Sequence, residues 1–239
     1  MAQRFIFKSY HYIKYVNFMQ ASKLVIPFVL VNFKTYLEST GENALMLGRV
    51  VEEVSKKSGV SMGIAVQAVD VRLCASELSI PVFAQHVDAV GTGSNTGAVL
   101  AEALVQAGAV GTLINHSEKR VGDVGACVQV AKRAGLMVMI CAEDDVEAES
   151  FLNFSPDFIA VEPPELIGGD VSVSNAKPEL ISAAVEKLGS EKTVVGAGVK
   201  NGEDIKKARE LGASGFLVAS GVCKAEDPKQ VLFDLVESL

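Results

Sequence analysis

Residues 193–221 read TVVGAGVKNGEDIKKARELGASGFLVASG, and the reading of this stretch decides the fold. Two short apolar runs, at 193–196 and 215–219, flank a helical pattern at 203–211. Neither run alternates apolar with polar residues, which is the pattern of strands buried on both faces. Gly212 stands just past the helix, where a left-handed cap favours glycine. Strand, helix, glycine, strand is one supersecondary unit, and the chain repeats it: QAG before VGTLIN and KRAG before LMVMIC place Gly108 and Gly135 in the same way. Working outward, further runs of this kind lie at 25–32, 60–66, 81–86, 110–115, 136–141 and 157–161, eight in all. Helical patterns fill the intervals at 40–57, 71–78, 97–107, 121–134, 144–153 and 176–188, and a last one follows at 227–238. Eight units of roughly 27 residues predict a single-domain α/β protein, a (β/α)8 barrel of eight parallel strands each followed by a helix, near the lower size limit for that fold. A doubly wound open sheet is the alternative. Eight strands are many for it, and no Pro- or Ser-rich linker divides the chain.

The composition suits this architecture. Of 239 residues, 49% are hydrophobic but only 6% aromatic and none is Trp, so the core is aliphatic. With 22 basic and 29 acidic residues the net charge is −7, the wrong sign for a nucleic-acid binder. No apolar run approaches the roughly 18 residues of a membrane helix. Cys74, Cys127, Cys141 and Cys223 form no Cys-x-x-Cys pair and each lies in or beside an apolar run, as buried thiols of a reducing, cytoplasmic setting do. Residues 1–24 differ from the rest. They hold Arg4, Lys8, Lys14, Lys23, six of the 15 aromatics and no acid, so the other 215 residues carry −11. Charges and tyrosines interrupt the stretch too often for a secretory signal. It reads as a poorly ordered N-terminal extension or an upstream start ahead of Met19, with the barrel domain at 25–239.

In such a barrel chemistry belongs at the C-terminal ends of the strands. The first run ends in Asn32-Phe33-Lys34, and a lysine pointing into the barrel mouth is a fixed cation for an anionic substrate. Alone it reads as a solvated charge. The fourth ends in Asn115-His116-Ser117-Glu118, with a helix expected soon after. A helix N-terminus disfavours positive charge, so His116 is expected neutral, able to donate to a substrate oxygen and shuttle a proton; the plain alternative is a hydrogen-bonded histidine. The sixth ends in Glu162-Pro163-Pro164, where the prolines stiffen the backbone beneath the carboxylate. The following LIGGDVSVSNAKPE pairs that stiff start with a mobile Gly168-Gly169, the make-up of a hinged lid. Gly196-Ala197-Gly198 and Ala219-Ser220-Gly221 close the seventh and eighth runs, where small residues let backbone N–H groups approach a phosphate. Glu118, Lys119 and Glu165 read as surface charges.

Two further patterns are decoys. Gly91–Gly97 and Gly196–Gly202 have the spacing G-x-G-x-x-x-G, and neither leads to a strand ending in an acid, so a dinucleotide site is rejected. His86 and Asp88 lack a third metal ligand at sensible spacing and read as a hydrogen-bonded loop pair.

Together these residues resemble the triosephosphate isomerase family over essentially all of 25–239. Asn32-Phe33-Lys34 resembles its Asn-x-Lys, Asn115-His116-Ser117-Glu118-Lys119-Arg120 its His-Ser-Glu-x-Arg signature, and Val161 through Gly168 its Glu-Pro lid. Ala84-Gln85 and the loop reaching Thr96-Gly97 are similar to its subunit-contact loop, and the compact Pro-Pro-Glu-Leu-Ile-Gly lid is most similar to the archaeal branch. The resemblance implies a TIM barrel that interconverts D-glyceraldehyde 3-phosphate and dihydroxyacetone phosphate through an enediolate, in glycolysis and gluconeogenesis. It implies Glu162 as base, His116 as neutral electrophile, and Lys34 with Asn32 holding the substrate. Ile167, Gly198, Ala219 and Ser220 would line phosphate and lid. It implies no metal and no organic cofactor, and no partner beyond the small-molecule substrate except further copies of the chain: a homo-oligomer, a tetramer as in the archaeal branch or else a dimer. Asp170 departs from the family's commoner lid, which has Gly there, and is expected to point outward at the far hinge. Two other readings share parts of the pattern. A different phosphosugar barrel enzyme would keep only the phosphate cradle, and a non-catalytic binder would not need Glu162, His116 and Lys34.

Overall fold

Eight parallel strands close on themselves in sequence order: β1 (Phe28–Asn32), β2 (Ser61–Val66), β3 (Val82–Ala84), β4 (Gly111–Ile114), β5 (Met137–Ala142), β6 (Phe158–Val161), β7 (Thr193–Val195) and β8 (Gly215–Val218). The structure is a computed structural model and describes residues 23–169 and 171–239. The eighth strand meets the first, with Phe28 beside Gly215 and Val31 beside Val218, so no edge is left open. The (β/α)8 barrel expected from the repeats is therefore the fold. Residues 1–22, most of the N-terminal extension, and Asp170 lie outside the described residues.

Strand parity divides the core. Phe28, Leu30, Ala65, Phe83, Leu113, Met139, Cys141, Phe158, Ala160, Val194 and Leu217 pack inside the barrel, with Leu24 joining them at its base. The alternate positions, such as Val29, Val31, Ile64, Ile140 and Ile159, face the helices. Large and small residues interdigitate inside. A Cβ on Gly111 would sit 2.3 Å from the Phe83 ring, and one on Gly215 2.6 Å from the Phe28 ring. These glycines make the room that the phenylalanines fill, and truncating such a ring would cost about 3–5 kcal/mol.

The outer layer is α1 (Glu42–Ser58), α2 (Val71–Glu77), α3 (Ala101–Ala107), α4 (Val124–Ala134), α5 (Asp145–Phe151), α6 (Val173–Ala176), α7 (Pro178–Leu188), α8 (Gly202–Glu210), α9 (Ser220–Cys223) and α10 (Pro228–Glu237). Gly108, Gly135 and Gly212 follow α3, α4 and α8 in the expected left-handed conformation, with φ of 103°, 92° and 99°. Three local expectations are corrected. The strand expected from 25 begins at Phe28, after a proline that has no N–H for the ladder. The helix expected from 97 begins at Ala101. Asp88 holds residues 98–100 out of it: its N–H donates to Val99 O (3.0 Å) and its carboxylate accepts the Val99 N–H (2.6 Å). The stretch before Pro178, read as short of helix signals, contains the single turn α6.

Candidate active site

The inward parity of β1 runs Phe28, Leu30, Asn32, and that of β6 runs Phe158, Ala160, Glu162. Both polar residues are thus delivered to the barrel mouth by the alternation that buries the rings beneath them. Asn32 is 4% exposed and accepts the Lys34 N–H (3.1 Å), tying the lysine's backbone to the strand end. Lys34 takes φ +48°, a strained value for a side-chain-bearing residue that such a bond helps hold. Its side chain is 10% exposed, and the ammonium pairs with Glu118 at 2.5 Å. Gln85, one step past β3, donates towards Asn32 Oδ1 (3.2 Å) and Lys34 O (3.0 Å).

β4 ends at Ile114, two residues short of His116. Asn115 turns the chain with φ +67° and donates to Cys141 O (3.2 Å). His116 then caps a 3-10 turn, Ser117–Lys119, its Nδ1 accepting the Glu118 N–H at 3.1 Å. A ring that accepts at Nδ1 is a neutral ring, and its proton is carried by Nε2. Nε2 faces Glu162 Oε2 at 3.7 Å, beyond hydrogen-bonding range. Both atoms are buried, and neither has a hydrogen-bond partner. An unpaired buried polar atom costs about 1–3 kcal/mol, so a purely structural arrangement would not keep two facing each other.

Glu162 is set by its surroundings. Its N–H donates to Ala142 O (2.8 Å), extending the β5–β6 pairing past the strand end, and Pro163 follows. Its side chain lies against Gly196, where a Cβ would sit 2.4 Å from Oε1. Cys141 lies below. Burial, reinforced by the Glu162 carboxylate, pushes that thiol well above its usual range, so it remains protonated.

The lid runs from Pro163 to Ser172. A 3-10 turn at Pro164–Leu166 and the bonds Ile167 N to Pro164 O (3.2 Å) and Gly169 N to Leu166 O (3.1 Å) make its near half a self-braced piece. Gly168 turns it at φ +71°. Glu165, exposed as expected, is nevertheless paired, with Lys177. Beneath the lid a cavity of about 30 Å³ is bounded by Glu162, Ile167, Gly198, Lys200, Ala219 and Ser220, with Asn32 and Lys34 at its edge. That is room for a water or two. The structure thus brings together Asn32, Lys34, His116 and Glu162 on one side and Ile167, Gly198, Ala219 and Ser220 on the other. A larger cavity of about 540 Å³ shares Asn32 and Lys34 with the smaller one, takes in His116, and extends past Tyr36, Gln67, Gln85, His86 and Glu118. His86 and Asp88 bond to each other at 2.9 Å, as a loop pair.

Three residues take parts other than those expected: Gln85 reads in the sequence only as the start of a subunit-contact loop, Glu118 as a surface charge, and Gly196 as part of the phosphate cradle rather than as the wall behind Glu162.

The family model for triosephosphate isomerase matches residues 27–239. The triosephosphate isomerase of Methanobrevibacter smithii is 44% identical over 219 residues, 89% of this chain and 99% of that protein. Those of Methanosarcina barkeri and Methanothermobacter thermautotrophicus are 44% identical over 217 residues and 45% over 219, covering 98% and 96% of their lengths. Among solved structures, triosephosphate isomerase from Bartonella henselae superposes with a TM-score of 0.68 over 90% of this chain and 99% of that one; at 23% identity this shows the fold alone.

Proposed function

The chain belongs to the triosephosphate isomerase family and is an isomerase of triose phosphates, and we propose that Glu162, His116, Lys34 and Asn32 carry its reaction. Glu162 removes the proton from the carbon beside the substrate carbonyl. His116 Nε2–H donates to the carbonyl oxygen, stabilising the enediolate and passing the proton between its two oxygens. Glu162 returns its proton to the neighbouring carbon, which completes the interconversion of D-glyceraldehyde 3-phosphate and dihydroxyacetone phosphate. A carboxylate base facing a neutral histidine under a closing lid is the chemistry known for this family. Lys34 neutralises charge on the phosphate and the developing enediolate. Ile167, Gly198, Ala219 and Ser220 surround the phosphate, largely through backbone. The lid keeps water out, because an exposed enediolate phosphate expels its phosphate.

The observation that carries this reading is the pair Glu162 Oε2 and His116 Nε2, buried, unpartnered and 3.7 Å apart. A general base contributes about 10²–10⁴ in rate. Glu162→Asp withdraws the carboxylate by one methylene and should lower kcat by about 10²–10³-fold. The test is a coupled assay in which glyceraldehyde 3-phosphate is supplied and dihydroxyacetone phosphate is read through a reductase. A folded wild type without turnover, or a variant as fast as the wild type, refutes the assignment.

The setting proposed is the cytoplasm, in glycolysis and gluconeogenesis; among the described residues no helix is long and apolar enough to cross a membrane. The state proposed is a homo-oligomer, a tetramer as in the archaeal branch. The 540 Å³ cavity beside Lys34, the wholly exposed loop 91–97, and Leu37 and Val69, 79% and 81% exposed, support self-association at the barrel mouth. Sedimentation equilibrium decides it, and a monomer at micromolar concentration refutes it.

A further inference from the structure

The strongest buried group outside the reaction is the carboxylate of Asp204, on the first turn of α8 and 5% exposed. Its backbone N–H is already served by the Asn201 side chain at 3.0 Å, so the carboxylate is not needed to cap its own helix. It reaches instead to two separate segments, the end of the lid and the loop after β7, whose Lys200 lines the small cavity. Oδ1 accepts the Ser172 hydroxyl at 2.6 Å and the Asn175 amide at 2.8 Å. Oδ2 accepts the Lys200 N–H at 3.0 Å. Ser172 is the last residue of the lid, and Asn175 lies in the turn that follows it. Lys200 belongs to the loop after β7 that carries Gly198. A charged acceptor makes stronger hydrogen bonds than a neutral one, and burial removes the competition from water.

Other bonds lie in the same seam. Ser174 Oγ donates to Asp204 O (3.1 Å), and Val173 N–H donates to Ala197 O (3.1 Å). Gly198 lies so close to the lid that a Cβ there would sit 2.3 Å from Val171 O. The far hinge of the lid and the loop of the phosphate cradle are therefore fastened to each other, and among the described residues Asp204 is the side chain that grips both.

We propose that Asp204 is a positioning residue of the isomerase, clamping the lid's C-terminal hinge to the loop after β7 so that lid and cradle close on the substrate phosphate in register. Asp204 touches neither the reacting carbons nor Glu162. It acts through Ser172 and the Lys200 backbone, and the proposal rests on the isomerase reading above. A clamp of this kind matters only for a substrate that carries a phosphate, because it positions the phosphate's walls. It also governs leakage. When the lid closes out of register, the enediolate can break its carbon–oxygen bond to phosphate, with the bonding electron pair leaving on the phosphate and the remaining enol becoming methylglyoxal.

Three readouts test this on the full chain: kcat/KM for glyceraldehyde 3-phosphate, the fraction of turnovers that release inorganic phosphate, and proton exchange at C2 of unphosphorylated glyceraldehyde, followed by NMR in D2O. Asp204→Ala should lower the first by about 10–100-fold, as misplacement by about an ångström does. It should raise the second about tenfold and leave the third within about twofold. Ser172→Ala removes one lid-side donor without touching α8, and should move the first two in the same direction. It decides the matter alone if Asp204→Ala does not fold. With wild type active, an unchanged phosphate-release fraction, or an equal fall on both substrates, overturns the clamp and leaves a merely structural carboxylate. A wild type inert towards triose phosphate overturns the isomerase reading instead.

Discussion

Gly196 is the residue through which the Glu162 geometry can be tested without touching either reacting side chain. It does not adopt positive φ, so alanine fits its backbone. The obstacle is steric and specific. The new Cβ would lie 2.4 Å from Glu162 Oε1 and 2.6 Å from its Cγ. Non-bonded carbon and oxygen settle beyond about 3.2 Å, so the carboxylate must retreat by about 0.6–1 Å. Misplacing a reacting group by about 1 Å costs about 10²-fold in rate, or about 2.7 kcal/mol of barrier. The fold should tolerate the change. The crowded atoms all belong to one side chain and none to backbone, and alanine in place of glycine recovers about 0.4–1 kcal/mol from the unfolded chain. Gly196→Ala should therefore show kcat down about 10²-fold, KM within about threefold and Tm within a few degrees of wild type. The measurement is the coupled isomerase assay beside a thermal melt. A kcat within about threefold of wild type would refute the reasoning, because the carboxylate pose seen here would then not be the working one. A kcat loss accompanied by a collapse in Tm would refute it differently, by making the effect one of unfolding.

Gly198→Ala meets backbone rather than side chain, at Val171 O (2.3 Å) and Ser172 Cα (2.8 Å), from a φ of +73°. It should raise KM about tenfold and lower Tm, through about 1–2 kcal/mol of strain and a displaced lid; an unchanged KM would contradict the packing of lid against cradle. Glu118→Gln keeps a polar partner for Lys34 but removes its charge, and because Glu118 is 55% exposed the pair is partly screened. Steady-state kinetics should show kcat/KM down about three- to tenfold with less than about 1 kcal/mol lost in stability, and no kinetic change would mean the lysine is held by its backbone alone. Burial, with help from Asp70, pushes the Cys74 thiol up to about 12 from 9.0, and burial does the same to Cys223. A raised folded pKa means a contribution fully present below pH 9.0 and lost as pH climbs towards about 12, since the unfolded chain ionises first. Stability should fall between pH 9 and 10 in urea titrations, and Cys74→Ala should reduce that fall by roughly 1 kcal/mol over the interval; equal slopes would contradict the burial argument.

What could be read from the chain, and what could not, divides by the range of the interaction involved. A strand announces itself within four to eight residues, and its cap glycine lies next door, so all eight strands and the glycines after α3, α4 and α8 were legible. His116 and Glu162 were legible for the same reason. His116 accepts from Glu118 two positions on, and Glu162 is fixed by the end of its strand and the proline after it. The helix start at 97 failed because Asp88 reaches 11 positions forward to seize Val99, and no local preference records that bond. Gly196 against Glu162, Glu118 against Lys34, and Asp204 against Ser172 span 34, 84 and 32 positions. In each case the partner is supplied by the closed barrel, which brings together segments that are remote in the chain. Closure also explains why the site could be located before its contacts were known. Parity along each strand sends alternate residues inward, and above the last packed ring the inward position has no core to fill. A polar residue there, such as Asn32 above Leu30 or Glu162 above Ala160, is exempt from the packing that governs the rows beneath it and faces the cavity instead.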